Sequence, residues 1–185
     1  MEEIFEKKSF KTTPLEKGEY EDCEFINCDF SESDISEIKF FECVFKDCNL
    51  SMVKLTGTLF NNIWFKNCKM LGLRFDDCNK FGMSFSFENC ILNHSSFFST
   101  KILKTNFKDC QLHEVYFGEC DLTSSVFNNC DLKGAIFGKT ILNKVDFSTS
   151  YNFTIDPEEN KLRKAKFSVA GLPGLLSKYG LEIEQ

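Results

Sequence analysis

Residues 120–140 read CDLTSSVFNNCDLKGAIFGKT, and in fives they become C-D-L-T-S, S-V-F-N-N, C-D-L-K-G and A-I-F-G-K. A large apolar residue recurs at every fifth position (Leu122, Phe127, Leu132, Phe137), and a small residue stands two places before each. A period of five fits neither the 3.6-residue turn of a helix nor the two-residue alternation of a strand. The stretch therefore demands a third architecture.

The period extends in both directions. Taking the large residue as the centre of each pentad, centres run without a break from Tyr20, Phe25 and Phe30 to Met70 and Phe75. They resume at Leu92 and continue through Phe97, Ile102 and Phe107 to Leu142 and Phe147. Phe75 to Leu92 is 17 residues where three pentads need 15, so two residues are inserted. Phe81 and Phe87 are the expected centres there, each one residue late; the alternative is Phe85 with a single longer bulge.

All ten cysteines obey the repeat. Cys23, Cys28, Cys43, Cys48, Cys68 and Cys78 fall two residues before a centre position of the first register, and Cys90, Cys110, Cys120 and Cys130 do so in the second. Elsewhere this position holds small or β-branched residues such as Ser33, Thr58, Ala135 and Val145. No C-x-x-C pair occurs, which removes the usual spacing of zinc ribbons and thioredoxin-like redox sites.

C-D-L-T-S and C-D-L-K-G resemble the pentapeptide-repeat proteins, whose repeat is loosely A-(D/N)-L-x-x, with Cys in place of Ala. The resemblance covers about residues 18–149. It implies an all-β fold, a right-handed quadrilateral β-helix with one pentad per side and four per coil. The pattern is consistent with that: residue i would stack on residue i+20 at a strand spacing of about 4.8 Å. One column then reads Phe25, Phe45, Phe65, Phe107, Phe127, Phe147, and another Cys28, Cys48, Cys68, Cys90, Cys110, Cys130. Parallel thiols in a row suit neither tetrahedral metal coordination nor the disulfide dihedral, so they read as packing residues.

The expected organisation is an extension or partial coil over 1–17, the β-helix over 18–152 with its insertion near 79–88, and a C-terminal cap over 153–185. In the cap, 169–179 reads as a short helix with Ser168 as N-cap and Gly180 at the left-handed C-terminal position. LEIE (181–184) reads as a final short strand. This ending, and C-N-L-S-M at 48–52, resemble the Qnr-type, gyrase-interacting members. That resemblance implies either a simple cap or one that also joins two subunits end to end. Leu172, Leu175, Leu176, Tyr179 and Ile183 are the candidate dimer contacts.

Composition excludes several functions. The net charge of −6 argues against direct nucleic-acid or anionic-membrane binding, and neither a transmembrane stretch nor an export signal is evident, so a cytoplasmic protein is expected. His94 and His113, the only histidines, belong to no triad or ligand set and should point outward. No cofactor, metal or catalytic residue is indicated. Charge is banded: ten acids against two lysines between Glu19 and Asp47 give −8, residues 51–108 give +5, and residues 109–149 give −3. The expected function is a non-enzymatic protein-interaction scaffold with Glu21, Asp22, Glu24, Asp29, Glu32 and the outward Trp64 as candidate surface. The alternative implied by the Qnr-type resemblance is a DNA mimic binding DNA gyrase or topoisomerase IV and conferring quinolone tolerance. The basic middle and the lack of long loop insertions depart from that pattern.

Overall fold

The computed structural model describes residues 3–184. The chain winds into a four-sided parallel β-solenoid in which each pentad forms one side. Side one carries a seven-stranded parallel sheet: Ile4–Glu6, Glu24–Ile26, Val44–Lys46, Ile63–Lys66, Phe85–Glu88, Asn106–Lys108 and Val126–Asn128. Side four carries three parallel strands, Glu19–Glu21, Lys39–Phe41 and Leu59–Asn61. Sides two and three, and the rest of side four, are joined by single parallel bridges such as Asp29↔Asn49, Asp34↔Lys54 and Lys101↔Asp121. The register is i to i+20 below the insertion and above it, and i to i+22 across it.

The centre residues fill the tube. Along side one, Phe5, Phe25, Phe45, Phe65, Phe87, Phe107, Phe127, Phe147 and Phe167 form one unbroken stack, with successive centroids 4.6–5.4 Å apart and planes within 25°. Rings on adjacent sides meet edge to face, as Phe107 and Phe117 do at 6.1 Å and 82°. Coil spacing thus coincides with ring-stacking distance. Each such pair adds about 0.5–1.5 kcal/mol beyond the area it buries.

The corners explain the polar part of the repeat. The residue two places after most centres turns the chain with positive φ, as in Asp22, Asn27, Glu32, Asp47, Asn67, Asp109 and Asn129, at 52–58°. Asn and Asp tolerate this left-handed conformation best among non-glycine residues. At Gly72 a side chain would also strike the Met52 sulfur, 2.6 Å from where its Cβ would lie.

The cysteines mark a particular kind of corner. Where the chain turns tightly, the amide two places before a centre donates to the preceding centre's carbonyl, as Ser125 does to Leu122 at 2.9 Å. After the extended strands that closure is missing, and eight of the ten cysteines (23, 28, 43, 48, 68, 90, 110 and 130) stand two residues beyond a strand. The thiol becomes the donor instead. Cys48 reaches the Phe25 carbonyl at 3.2 Å, Cys68 that of Phe45 at 3.3 Å and Cys130 that of Phe107 at 3.4 Å, each in the coil below. Cysteine is small, apolar and a weak donor, the combination an inward-facing carbonyl in a tight column needs. All ten are free and buried. Burial pushes the Cys43 thiol up to about 11 and Cys120 up to about 12, far from the reactive thiolate range.

The insertion departs from expectation at one residue. Phe87 occupies the side-one column, stacked on Phe65 at 5.4 Å. Phe81 does not point inward; it is 88% exposed. The vacancy on side four is filled by Phe85, in the small-residue position opposite Ile63, with its ring edge-on to Phe60 and Phe75. Met83 is buried beside it in sequence. One large ring from the corner thus replaces a missing centre, leaving 79–82 free to bulge outward.

At the N-terminal end, Phe5, Phe10 and Leu15 continue three of the columns, although residues 1–17 lack the sequence pattern. Their small-residue positions are Glu3, Lys8 and Thr13, and among the described residues no coil beneath crowds them. At the other end, Asn160 closes the tube: its amide donates to the Phe137 carbonyl at 3.0 Å and its Oδ1 accepts from the Thr140 amide at 2.9 Å. The expected cap helix is a broken one. It consists of 3-10 turns at Val169–Gly171 and Ser177–Tyr179 around one α turn, Pro173–Leu176. The Ser168 hydroxyl accepts from the Gly171 amide, and Gly180 ends the segment with φ of 60°. Residues 181–184 form no strand, contrary to the sequence expectation, since no neighbouring edge pairs with them. Lys178 ties the cap down through Asp156 at 2.8 Å and Glu158 at 2.6 Å.

Two outcomes follow for experiment. In the native protein no cysteine should react with Ellman's reagent within minutes, and all ten should react in urea. Lys178 holds the carboxyls of Asp156 and Glu158 below their ordinary values, so their contribution to cap docking is present above the unfolded values near 4 and is lost as pH falls through the folded ones. Hydrogen exchange at 173–179 should accordingly quicken below about pH 4, relative to the core, and Lys178→Met should remove that pH dependence.

Candidate interaction surface

Because the interior is filled with side chains, any function lies on the outside. Among the described residues no group of three His, Cys, Asp or Glu could share a metal ion. The two histidines are neighbours in successive coils, the His94 amide donating to the His113 carbonyl at 2.9 Å, but their rings take different partners. His94 lies 3.3 Å from Glu114, and His113, only 27% exposed, places Nε2 2.8 Å from Asp131 Oδ2. Partial burial would raise the Asp131 carboxyl, but the hydrogen bonds from His113 and Asn152 outweigh it and hold the group below its ordinary value. Neither histidine has a nucleophile beside it. No helix among the described residues is long and apolar enough to cross a membrane.

The coil geometry sorts the acidic band into separate sides. Glu21 and Asp22 stand at the corner leading from side four to side one, and Glu24 begins side one immediately after. These three cluster, and Glu42 joins them one coil up, where the Asp22 amide donates to the Phe41 carbonyl at 3.1 Å. Asp29 lies on side two, its Oδ1 accepting from the Ser31 amide at 2.9 Å. Glu32 belongs to the next corner and pairs with Lys11 at 3.2 Å. The six candidate residues therefore do not make one patch. Glu42 was hidden from a linear reading, and the i+20 rule is the signal that finds it.

Trp64 shares side one with Glu24, two coils further along through Val44. It is 44% exposed, and the Lys66 ammonium lies 5.3 Å from its ring centroid. Glu88 sits one coil above Lys66 and binds it at 3.5 Å and Lys108 at 2.9 Å; the Lys108 hydrogen bond, chiefly, holds its carboxyl below the ordinary value. A shallow groove runs beside the indole, lined by Asn62, Ser86 and Asn106 among others. This is an amphipathic ledge of tryptophan beside a net-positive Lys66–Glu88–Lys108 charge ladder.

At the C-terminal end, Leu175 packs onto the core. Leu172, Leu176, Tyr179 and Ile183 stay exposed, by 43%, 36%, 53% and 50%. The Tyr179 hydroxyl donates to Glu158 at 2.8 Å, and the Lys178 ammonium lies 5.0 Å from its ring centroid, which fixes the ring.

Comparison with curated proteins finds no match. Solved structures similar to this chain include QnrB1, a plasmid-mediated fluoroquinolone resistance protein. It is 20% identical over 97% of this chain and 98% of its own, with a TM-score of 0.47. HetL, involved in heterocyst differentiation regulation in the cyanobacterium Nostoc sp. Strain PCC 7120, is 10% identical over 86% and 92%, with a TM-score of 0.28. The model of the pentapeptide repeat region matches residues 19–86 and 78–147. Those spans take in the stacked columns and the insertion alike, and the chain belongs to the pentapeptide-repeat family.

Proposed function

We propose that this protein is a non-enzymatic interaction scaffold whose acidic first coils receive a protein partner. The observation that supports this reading is the corner formed by Glu21, Asp22, Glu24 and Glu42, presented on a backbone fixed by coil-to-coil hydrogen bonds. A rigid rod loses little conformational freedom on binding, which favours recognition by a flat, pre-formed surface. Trp64 on the adjoining side supplies the kind of aromatic anchor that concentrates binding energy.

A second reading is favoured by the apolar C-terminal surface and the overall charge of −6. In it two chains join end to end through Leu172, Leu176, Tyr179 and Ile183, and the resulting rod occupies the DNA-binding saddle of DNA gyrase or topoisomerase IV as a DNA mimic.

The first reading is tested by capture on the immobilised full chain. A reproducible partner should lose at least tenfold in affinity when Glu21, Asp22 and Glu24 are all changed to Lys, and unchanged affinity would remove this corner as the site. For the second, purified protein at micromolar concentration should alter gyrase supercoiling or its inhibition by a fluoroquinolone. No effect on either removes that reading.

A further inference from the structure

Side four has an uneven charge distribution. Its first two coils present Glu19, Glu21, Asp22 and Glu42 with Lys39, a net −3, and its last four present Lys101, Lys104, Lys144, Lys161, Arg163 and Lys164 with Asp121, a net +5. All these cations are exposed, and among the described residues none of the six makes an ion pair. Between the two halves lies the insertion, with Phe81 88% exposed and Leu103 40% exposed in the next coil.

We infer that side four is a homotypic contact surface on which a second copy of the chain docks antiparallel. This rests on reading the acidic coils as a binding surface and names the partner they receive. Side four has eight levels, represented by Tyr20, Phe40, Phe60, the insertion, Ile102, Leu122, Leu142 and Leu162. A two-fold axis running across the side, between the insertion and the Ile102 coil, reverses the rod axis while keeping each lateral position opposite its equivalent. The first level then faces the eighth: Glu19 meets Lys161, Glu21 meets Arg163, and the corner residue Asp22 meets the corner residue Lys164. One level in, Glu42 meets Lys144, again corner to corner. Symmetry repeats every pairing, as an isologous interface requires.

At the axis Phe81 of each copy comes against the Leu103 coil of the other. At the centre the apolar Phe81 and Leu103 are flanked by the exposed Lys80, Lys101 and Lys104 of both copies, so the opposite charges at the two ends must outweigh repulsion in the middle. Side four is about 34 Å long and about 15 Å wide at the strand spacing, so the pair would bury on the order of 1,000 Å² in total. That lies at the small end of specific interfaces, where opposite charges govern orientation and rate.

A pair of charge-reversed full-length variants tests this. One carries Lys161→Glu, Arg163→Glu and Lys164→Glu; the other carries Glu19→Lys, Glu21→Lys and Asp22→Lys. Circular dichroism establishes that each is folded, and sedimentation equilibrium reads the mass. The wild type should self-associate, with its dissociation constant rising at least tenfold between about 50 and about 500 mM salt. Each variant alone should have lower mass, and an equimolar mixture should regain association as a heterodimer, because both sets of contacts are then opposite in sign. Phe81→Ser should weaken the wild-type association without changing the salt dependence.

A variant that keeps the wild-type mass, or a mixture that fails to pair, overturns the inference; the first result would assign self-association to the C-terminal end. A wild type monomeric at both salt concentrations also overturns it, and loss of duplex-DNA binding in the basic-end variant would then give the lysines to a polyanion. If a different protein is captured through Glu21, Asp22 and Glu24 while self-association is absent, the scaffold reading stands and this inference falls.

Discussion

Everything in this protein depends on one repeated contact: a coil lying on the coil below in parallel register, with an aromatic ring on the ring beneath. The backbone bonds fix the spacing, and that spacing is also the stacking distance of phenylalanine. Side chain and main chain therefore favour the same geometry, which is why a column of nine Phe rings runs unbroken along side one. The edge-to-face contacts between sides tie the columns together, so a coil cannot slide without breaking both kinds of contact.

Most of this was legible in the sequence because the repeat allots one chemical task to each position. Size locates the inward residue, and smallness locates the one before the corner. The acidic band was legible as a composition, but its division among sides was not, since neighbours in space lie twenty residues apart. The first coil was legible only as an extension or partial coil, because Glu3, Lys8 and Thr13 stand where the pattern asks for small residues. Phe81 was misplaced for a different reason. A pentad count assigns the vacant centre to the nearest large residue, whereas the tube fills it with Phe85 from an adjacent position and lets the chain between bulge out. LEIE has the alternation of a strand but no edge to pair with, and alternation alone does not make one.

The cysteine pattern shows how a backbone requirement becomes a composition. Eight of ten stand beyond extended strands, where the preceding carbonyl lacks its usual amide. Ser150 answers the same need, donating to the Phe127 carbonyl at 2.7 Å, whereas Thr58 and Thr140 donate to the Ile35 and Phe117 carbonyls beside the closing amide those already accept. Thiol and hydroxyl are thus alternatives for one structural task, and the abundance of cysteine needs neither a metal nor a disulfide to account for it.

A tube sewn with thiols also carries a record of its own fraying. The Cys28 sulfur is covered by the first coil and donates to the Phe5 carbonyl at 3.2 Å, while Cys48 lies under the next. Peeling coils away from the N-terminal end would uncover these sulfurs one level at a time, in the order of the sequence. Oxidants that leave the intact rod untouched would then mark how far it had opened, and an adduct on an uncovered thiol would be too large for the column to close over it again.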